Sequence, residues 1–161
     1  MHWADVIAER LSQKGDSHII ATGITPSGPI HVGNMREVLT ADMIVRACER
    51  INLNAELVYI ADSADPLRKV YPFLEEEHYS EHVGRSLATI PSPDGSGNYS
   101  DYFLKPFFSA LDDVGVEYRV IDAYQSYQEG KYTSSTKTAI QNRSEIRDII
   151  QDVSKRPLND D

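Results

Sequence analysis

The segment from His18 to Asn34 limits the possible folds of this chain more than any other part of it. An apolar run, His18-Ile-Ile-Ala-Thr22, predicts a buried strand, and it leads directly into a loop rich in glycine and proline. The loop ends at His31-Val-Gly-Asn34, where a long amphipathic pattern begins. The first backbone N–H groups of a helix lack partners within the helix, and its dipole favours negative charge. The segment therefore predicts an α/β fold with a phosphate site at this loop.

The residue types in the loop narrow the kind of phosphate site. No Gly-Lys-Ser/Thr follows, and the glycines do not have Gly-x-Gly-x-x-Gly spacing. His31 can donate a hydrogen bond to a phosphate oxygen, and Gly33, which has no Cβ, allows a flat adenine to lie against the helix. His31 and Asn34 are the candidate catalytic residues. The candidate nucleotide-binding residues form one continuous stretch: Pro26, Ser27, Gly28, Pro29, Ile30, His31, Val32, Gly33 and Asn34.

The rest of the chain predicts alternating helices and strands. Apolar spacing indicates helices over residues 3–11, 32–50 and 136–153, and a further helix over 99–114 that is interrupted at Pro106. Strands are predicted over 54–61, parallel to the first strand, and over 116–121. Ligands bind at the carboxyl ends of strands in open α/β sheets, which is where the loop is expected to lie.

A second candidate site follows the predicted strand over residues 54–61. That strand ends in Asp62, whose carboxylate is expected to point into the same cleft as the first loop. Asp65 precedes Pro66 and is therefore biased towards an extended conformation. Arg68 and Lys69 are then expected in a first helical turn, where they either contact a ligand or form a surface ion pair with Asp65.

These two motifs resemble those of the class I aminoacyl-tRNA synthetases, whose His-Ile-Gly-His signature corresponds to His31-Val-Gly-Asn34 here. The longer stretch from Thr22 to Asn34, together with Asp65-Pro-Leu-Arg-Lys69, is most similar to the class I lysyl-tRNA synthetases of archaea and some bacteria. The resemblance implies the first half of a Rossmann-like nucleotide-binding fold, with a parallel sheet and part of the family's connective insertion. In the lysyl family an asparagine also replaces the second histidine.

The resemblance also implies substrates and site residues. The substrates would be L-lysine, tRNA(Lys) and ATP, with Mg²⁺ accompanying ATP. Gly23 and Thr25 match the family's lysine-binding turn, and Asp62, Arg68 and Lys69 are candidates for the cleft or for contact with tRNA. No metal site is predicted, because His78 and His82 have helical spacing but lack the rest of a His-Glu-x-x-His motif.

The resemblance divides the chain into three parts. Residues 1–75 correspond to the first half of the catalytic fold, 76–130 to the connective insertion, and 131–161 to a helix with a polar tail. The family's second half-fold and its Lys-Met-Ser-Lys-Ser loop have no counterpart, so the chain is expected to be an N-terminal portion unable to complete the reaction. The alternatives are a small adenylyl- or nucleotidyltransferase and a non-catalytic paralogue that binds nucleotide or tRNA.

Composition sets outer limits on these interpretations. The chain has 161 residues, 40% of them hydrophobic, which suits about one folded domain. A single cysteine, Cys48, suits a reducing compartment, and no apolar run approaches membrane-spanning length, so a cytoplasmic protein is expected. The net charge of −9 does not by itself suggest an RNA partner, and the nine tyrosines predict no stacking surface. Thr133 or Ser134 is expected to cap a helix.

Overall fold

The computed structural model describes residues 2–157, which form three strands and seven α-helices. In chain order these are α1 (Trp3–Ser12), β1 (Ser17–Ile24), α2 (Val32–Arg50), β2 (Asn54–Ala61), α3 (Glu76–Tyr79), α4 (Tyr99–Asp113), β3 (Arg119–Asp122), α5 (Ala123–Gln128), α6 (Thr133–Gln141) and α7 (Arg143–Ser154). The described residues fall into two compact units that divide between Tyr124 and Gln125. The assignment of 76–130 to a connective insertion stays a prediction.

The sheet of the first unit is parallel, in the order β1-β2-β3. The bounds predicted for α2 and β2 are confirmed, as is the parallel pairing of the first two strands. Helices α2 and α4 cover one face of the sheet, and their apolar side chains form the main core with β2. The buried members of this core include Val38, Val45, Leu57, Tyr59, Leu104, Phe107 and Leu111.

Strand β1 is less buried than the sequence predicted. It lies at an edge of the described sheet and pairs only with β2, so one side of the strand has no neighbour within residues 2–157. Thr22 is the one buried residue of the strand, and Ile19 is 63% exposed. An apolar run predicts that a strand is buried, but it does not show whether the segment that packs against the strand belongs to the same chain.

Two other sequence expectations are corrected in the second unit. Residues 136–153 do not form one helix, because α6 ends at Gln141 and α7 begins at Arg143. The predicted capping by Thr133 or Ser134 is also wrong, since α6 begins after Tyr132 without a side-chain cap. The isoleucines whose spacing indicated this helix are exposed: Ile140, Ile146, Ile149 and Ile150.

Helix α4 and the third strand differ from their predicted limits in smaller ways. Helix α4 continues through Pro106. Strand β3 begins at Arg119, three residues later than expected.

Between β2 and α4, a long connection packs around a second apolar cluster of Leu67, Tyr79, Leu87, Ile90, Tyr99 and Phe103. Within residues 2–157 no helix is both long and apolar enough to cross a bilayer.

Candidate nucleotide-binding site

The loop between β1 and α2 forms most of the wall of a cavity of about 280 Å³. Its location at the carboxyl end of β1 is the one expected for ligands of parallel sheets. Seven of the residues predicted from the sequence line this cavity: Thr25, Ser27, Gly28, Pro29, Ile30, His31 and Asn34. The other predicted loop residues, Gly23, Pro26, Val32 and Gly33, do not form part of its wall.

His31 is the N-cap of α2, and one nitrogen of its ring makes the capping hydrogen bond. The backbone N–H of Gly33 donates to His31 Nδ1 over 3.0 Å. Because a backbone N–H can only donate, Nδ1 is the accepting nitrogen, and a neutral imidazole then carries its proton on Nε2. The ring is exposed, so this Nε2–H donor is available to a ligand.

Asn34 completes the cap in a way that leaves a second donor free. Its Oδ1 accepts from the backbone N–H of His31 over 3.3 Å, closing a capping box with the histidine ring. Since Oδ1 faces the backbone, the Nδ2 amide group of Asn34 is directed away from it and can donate. The cap therefore presents two hydrogen-bond donors, Nε2–H and Nδ2–H₂, beside the positive end of the α2 dipole.

The structure gives Gly33 a role in the capping of α2 that the sequence did not predict. A Cβ built on Gly33 would lie 2.8 Å from Cε1 and 2.9 Å from Nδ1 of His31. The absent side chain thus makes room for the imidazole that caps the helix. The packing of adenine against Gly33 stays a prediction.

Side chains from other elements hold the loop in place. Tyr99, which is fully buried at the start of α4, donates its hydroxyl proton to the carbonyl of Ser27 over 2.7 Å. Pro26 is itself fully buried. At Gly23, an added Cβ would lie 2.7 Å from the Ile60 carbonyl oxygen, so only glycine allows β1 to approach β2 this closely. The loop is therefore fixed before a ligand arrives.

Thr25 and two carboxylates meet where β1 and β2 end. The Thr25 hydroxyl donates to Asp65 over 2.7 Å, and the backbone N–H of Asp62 donates to the Ile24 carbonyl over 3.2 Å. Partial burial, together with the nearby charge of Asp65, raises the pKa of the Asp62 carboxyl. Asp62 follows β2 and contacts the end of β1, but it is not part of the cavity wall, so a carboxylate directed into the cleft stays a prediction.

Arg68 and Lys69 lie outside the cavity wall, and they do not form the predicted helical turn. Residues 67–75 are irregular, because Pro66 instead bridges to Ser86 in a short antiparallel contact. Arg68 lies 3.7 Å from Asp65, and its side chain is 74% exposed. This is the weak surface ion pair that the sequence allowed as the alternative to a ligand contact.

Two aromatic residues of the cavity wall were missed by sequence reasoning. The rings of Tyr71 and Phe73 are parallel within 3°, with centroids 5.6 Å apart, and both line the cavity. This corrects the expectation that the tyrosines contribute to no stacking surface. The sequence signal was Tyr71-Pro-Phe73, one residue after the basic pair Arg68-Lys69, but only the folded chain brings it against the loop.

The described residues do not gather a metal centre. Among residues 2–157, no group of three or more histidine, cysteine, aspartate or glutamate side chains is placed to hold a metal ion. His78 instead pairs with Glu75, with 2.6 Å between Nδ1 and Oε2, and His82 lies 3.7 Å from Glu81. Cys48 is buried in the small apolar cluster between α1 and α2.

Comparison with known proteins identifies the family. The family model described as tRNA synthetases class I (K) matches residues 1–161. The chain belongs to this family. Lysine–tRNA ligase 1 of Methanosarcina acetivorans is 51% identical over 162 residues, covering 100% of this chain and 30% of the relative. The lysine–tRNA ligases of Archaeoglobus fulgidus and Methanocaldococcus jannaschii are 50% and 48% identical and cover 99% and 100% of this chain.

The chain spans about a third of the length of these relatives. Coverage is 30% of the Methanosarcina protein, 31% of the Methanocaldococcus protein and 32% of the Archaeoglobus protein. The parallel sheet with flanking helices is consistent with the Rossmann-like fold of class I synthetases, as the sequence predicted. The matched part contains the His31–Asn34 cap and the Asp65–Lys69 segment.

Proposed function

We propose that this chain supplies the ATP-binding loop and one wall of the lysine site of a class I lysine–tRNA ligase. In that reaction the carboxylate of L-lysine attacks the α-phosphate of ATP, pyrophosphate leaves, and the lysyl group passes from the adenylate to tRNA(Lys). Both steps depend mainly on positioning and on stabilisation of phosphate charge. The chain's share is the loop between β1 and α2, and a further part of the enzyme is required to complete the site.

The observation that carries the proposal is the cap of α2. His31 and Asn34 use their acceptor atoms on the backbone, which leaves only donors directed at the cavity. Donors at a helix N-terminus suit phosphate and ribose oxygens and repel a cation. The loop is therefore a poor ligand for Mg²⁺, which we propose to be held by the phosphates of ATP.

The lysine assignment rests on the end of β1. The hydroxyl proton of Thr25 is used by Asp65, so the oxygen of Thr25 can only accept further hydrogen bonds. An ammonium group is the complementary donor, and Asp62 and Asp65 add negative charge beside it. We assign Gly23, Thr25 and Asp62 to the lysine side of the site, with Gly23 serving the close approach of β1 to β2.

Replacement of Thr25 by valine tests this assignment. Thr25→Val removes the acceptor oxygen at nearly constant volume, so the affinity for L-lysine should fall about 12- to 150-fold, which corresponds to the ~1.5–3 kcal/mol of a hydrogen bond to a charged group. The affinity for ATP should change less than about twofold, since Thr25 is not part of the α2 cap. Titration calorimetry with each ligand measures both effects.

Thr25→Ser is the matched control, because it keeps the hydroxyl and should bind lysine with nearly the affinity of the unmodified chain. An equal loss for lysine and ATP would indicate damage to the loop as a whole. Unchanged lysine affinity in Thr25→Val would remove Thr25 from the lysine site.

The proposed partners follow from the same reaction. They are L-lysine, ATP, tRNA(Lys) and the remaining part of a lysine–tRNA ligase, and the proposed location is the cytoplasm, where the single buried thiol of Cys48 is in keeping with a reducing environment. Because the chain belongs to the class I synthetase family, the alternative of a small nucleotidyltransferase is set aside. A non-catalytic paralogue remains as the alternative, and it is separated from an enzyme by the charging experiment below.

A further inference from the structure

Tyr71 and Phe73 form an aromatic surface in the wall of the cavity, and they come from a different part of the chain than the α2 cap. The reaction proposed above gives these two rings no role. Phe73 is 50% exposed, although a phenylalanine side chain is apolar and is more often buried. The turn that carries it is preorganised, with Pro72 at its second position and a 2.9 Å hydrogen bond from Leu74 N–H to the Tyr71 carbonyl. A half-exposed ring on a fixed turn is a surface available to a ligand.

Neighbouring groups hold the Phe73 ring in its orientation. Phe103 of α4 contacts it edge-on, with centroids 5.9 Å apart and an interplanar angle of 73°. On the loop side, a Cβ built on Gly28 would lie 2.8 Å from Phe73 Cζ, so the ring rests directly against the glycine of the nucleotide loop. The aromatic surface and the nucleotide loop are therefore in contact.

Positive charge adjoins this surface on its outer side. Lys69 Nζ lies 5.7 Å from the centroid of Tyr71, and Lys69 is exposed and outside the cavity wall. An exposed cation thus lies beside a pair of rings that both line the cavity. Proteins that bind single-stranded nucleic acid combine backbone-tracking positive charge with aromatic rings that stack on bases.

We propose that Tyr71 and Phe73 stack on the 3′-terminal adenosine of the tRNA acceptor end, with Lys69 beside the phosphate that precedes it. This rests on the proposed function, since it places the accepting nucleotide next to the loop that holds ATP. The net charge of the chain is −9, which does not by itself attract RNA. A local lysine beside two stacking rings would nevertheless provide a binding site for the end of an RNA strand.

The test compares two RNA hairpins, one ending in CCA and the other lacking the terminal adenosine, each labelled with fluorescein at its 5′ end. Fluorescence anisotropy at low salt gives their affinities for the 161-residue chain, and calorimetry gives the affinity for ATP. Phe73→Leu should weaken binding of the CCA hairpin about 5- to 150-fold, the range expected for one base–aromatic stack. Binding of the shortened hairpin should change less than about twofold, and the loss for the CCA hairpin should exceed any loss for ATP.

Two further variants complete the design. Phe73→Tyr keeps an aromatic ring and should retain the preference for the CCA hairpin. Tyr127→Leu removes another exposed aromatic ring, which is 56% exposed and contacts Tyr132, and it should leave all three affinities unchanged. Circular dichroism of each variant checks that the fold is retained.

Other results overturn the proposal in distinguishable ways. Equal losses for both hairpins would show that the ring does not contact the terminal base, and a loss confined to ATP would assign Phe73 to adenine of ATP instead. If the chain binds ATP but does not distinguish the two hairpins, the stacking site is refuted and the proposed function stands. If it binds neither ATP nor RNA, both are refuted.

Discussion

We expect the 161-residue chain alone to charge tRNA(Lys) at least about 10²- to 10³-fold more slowly than the same chain mixed with the missing portion of a relative. The range is the typical cost of losing one group that stabilises transition-state charge, and the lysines of the family's second signature loop have no counterpart here. The complementing protein would be the separately expressed remainder of Methanosarcina acetivorans lysine–tRNA ligase 1, which is 51% identical in the shared part.

The uncovered apolar surface of the chain supports complementation. Ile19 on the edge strand β1 is 63% exposed and Val120 on β3 is 41% exposed. In the second unit, α7 exposes Ile146, Ile149, Ile150 and Val153, which recur at helical spacing along one side. Exposed apolar faces and an open sheet edge favour association with another protein surface.

The charging assay has a clear control and a clear contrary outcome. The complementing portion without this chain should be inactive, because it lacks the α2 cap. Efficient lysylation by the 161 residues alone would contradict the expectation and show that a third of the relatives' length suffices. An inactive mixture in which both parts associate would favour the non-catalytic paralogue.

We expect His31→Ala combined with Asn34→Ala to weaken ATP binding about 100-fold or more, since each removed donor contributes ~1.5–3 kcal/mol when its partner is charged. Both side chains also close the capping box of α2, through His31 Nδ1 and Asn34 Oδ1. Loss of the cap should therefore lower stability as well, by about 0.5–2 kcal/mol. Calorimetry with ATP and thermal unfolding measure the two effects separately.

Two controls separate ATP binding from helix capping. His31→Ser keeps an N-cap oxygen but removes the imidazole, so it should lose ATP affinity with little loss of stability. His2 caps α1 in the same way, with Nδ1 accepting from Ala4 N–H over 3.3 Å, and His2→Ala should lower stability without changing ATP affinity. Unaltered ATP affinity in His31→Ser would remove His31 from the phosphate site.

The sequence predicted the local geometry of the site because that geometry is built from neighbouring residues. Strand β1, the loop and the N-terminus of α2 follow one another within 18 to 34, and the bounds of α2 were predicted correctly. Hydrophobic spacing of α2 and β2 was sufficient for the parallel pairing. What the sequence did not show was how His31 uses its ring, in which Nδ1 caps the helix and Nε2 is left for a ligand.

The features that were missed depend on contacts between distant parts of the chain. Phe73 reaches the cavity wall because Phe103 of α4 and Gly28 of the loop both contact it. Arg68 is drawn to Asp65 rather than into a helix, since Pro66 bridges to Ser86. The apolar run of β1 indicated burial, yet Ile19 is exposed because its side chain projects from the opposite face of the sheet to Ile20, which packs against the main core.

The most direct test of the central claim is calorimetric titration of the chain with a non-hydrolysable lysyl-adenylate analogue, in which a sulfamoyl group replaces the phosphate. The analogue joins the groups that the loop and the end of β1 are proposed to hold, so it should bind at least about 10²-fold more tightly than ATP or L-lysine alone. The matching glutamyl analogue should bind more weakly, because its side-chain carboxylate would face Asp62 and Asp65. Equal affinity for the two analogues would contradict the lysine site, and no binding of either would contradict the assignment of this loop as the adenylate site.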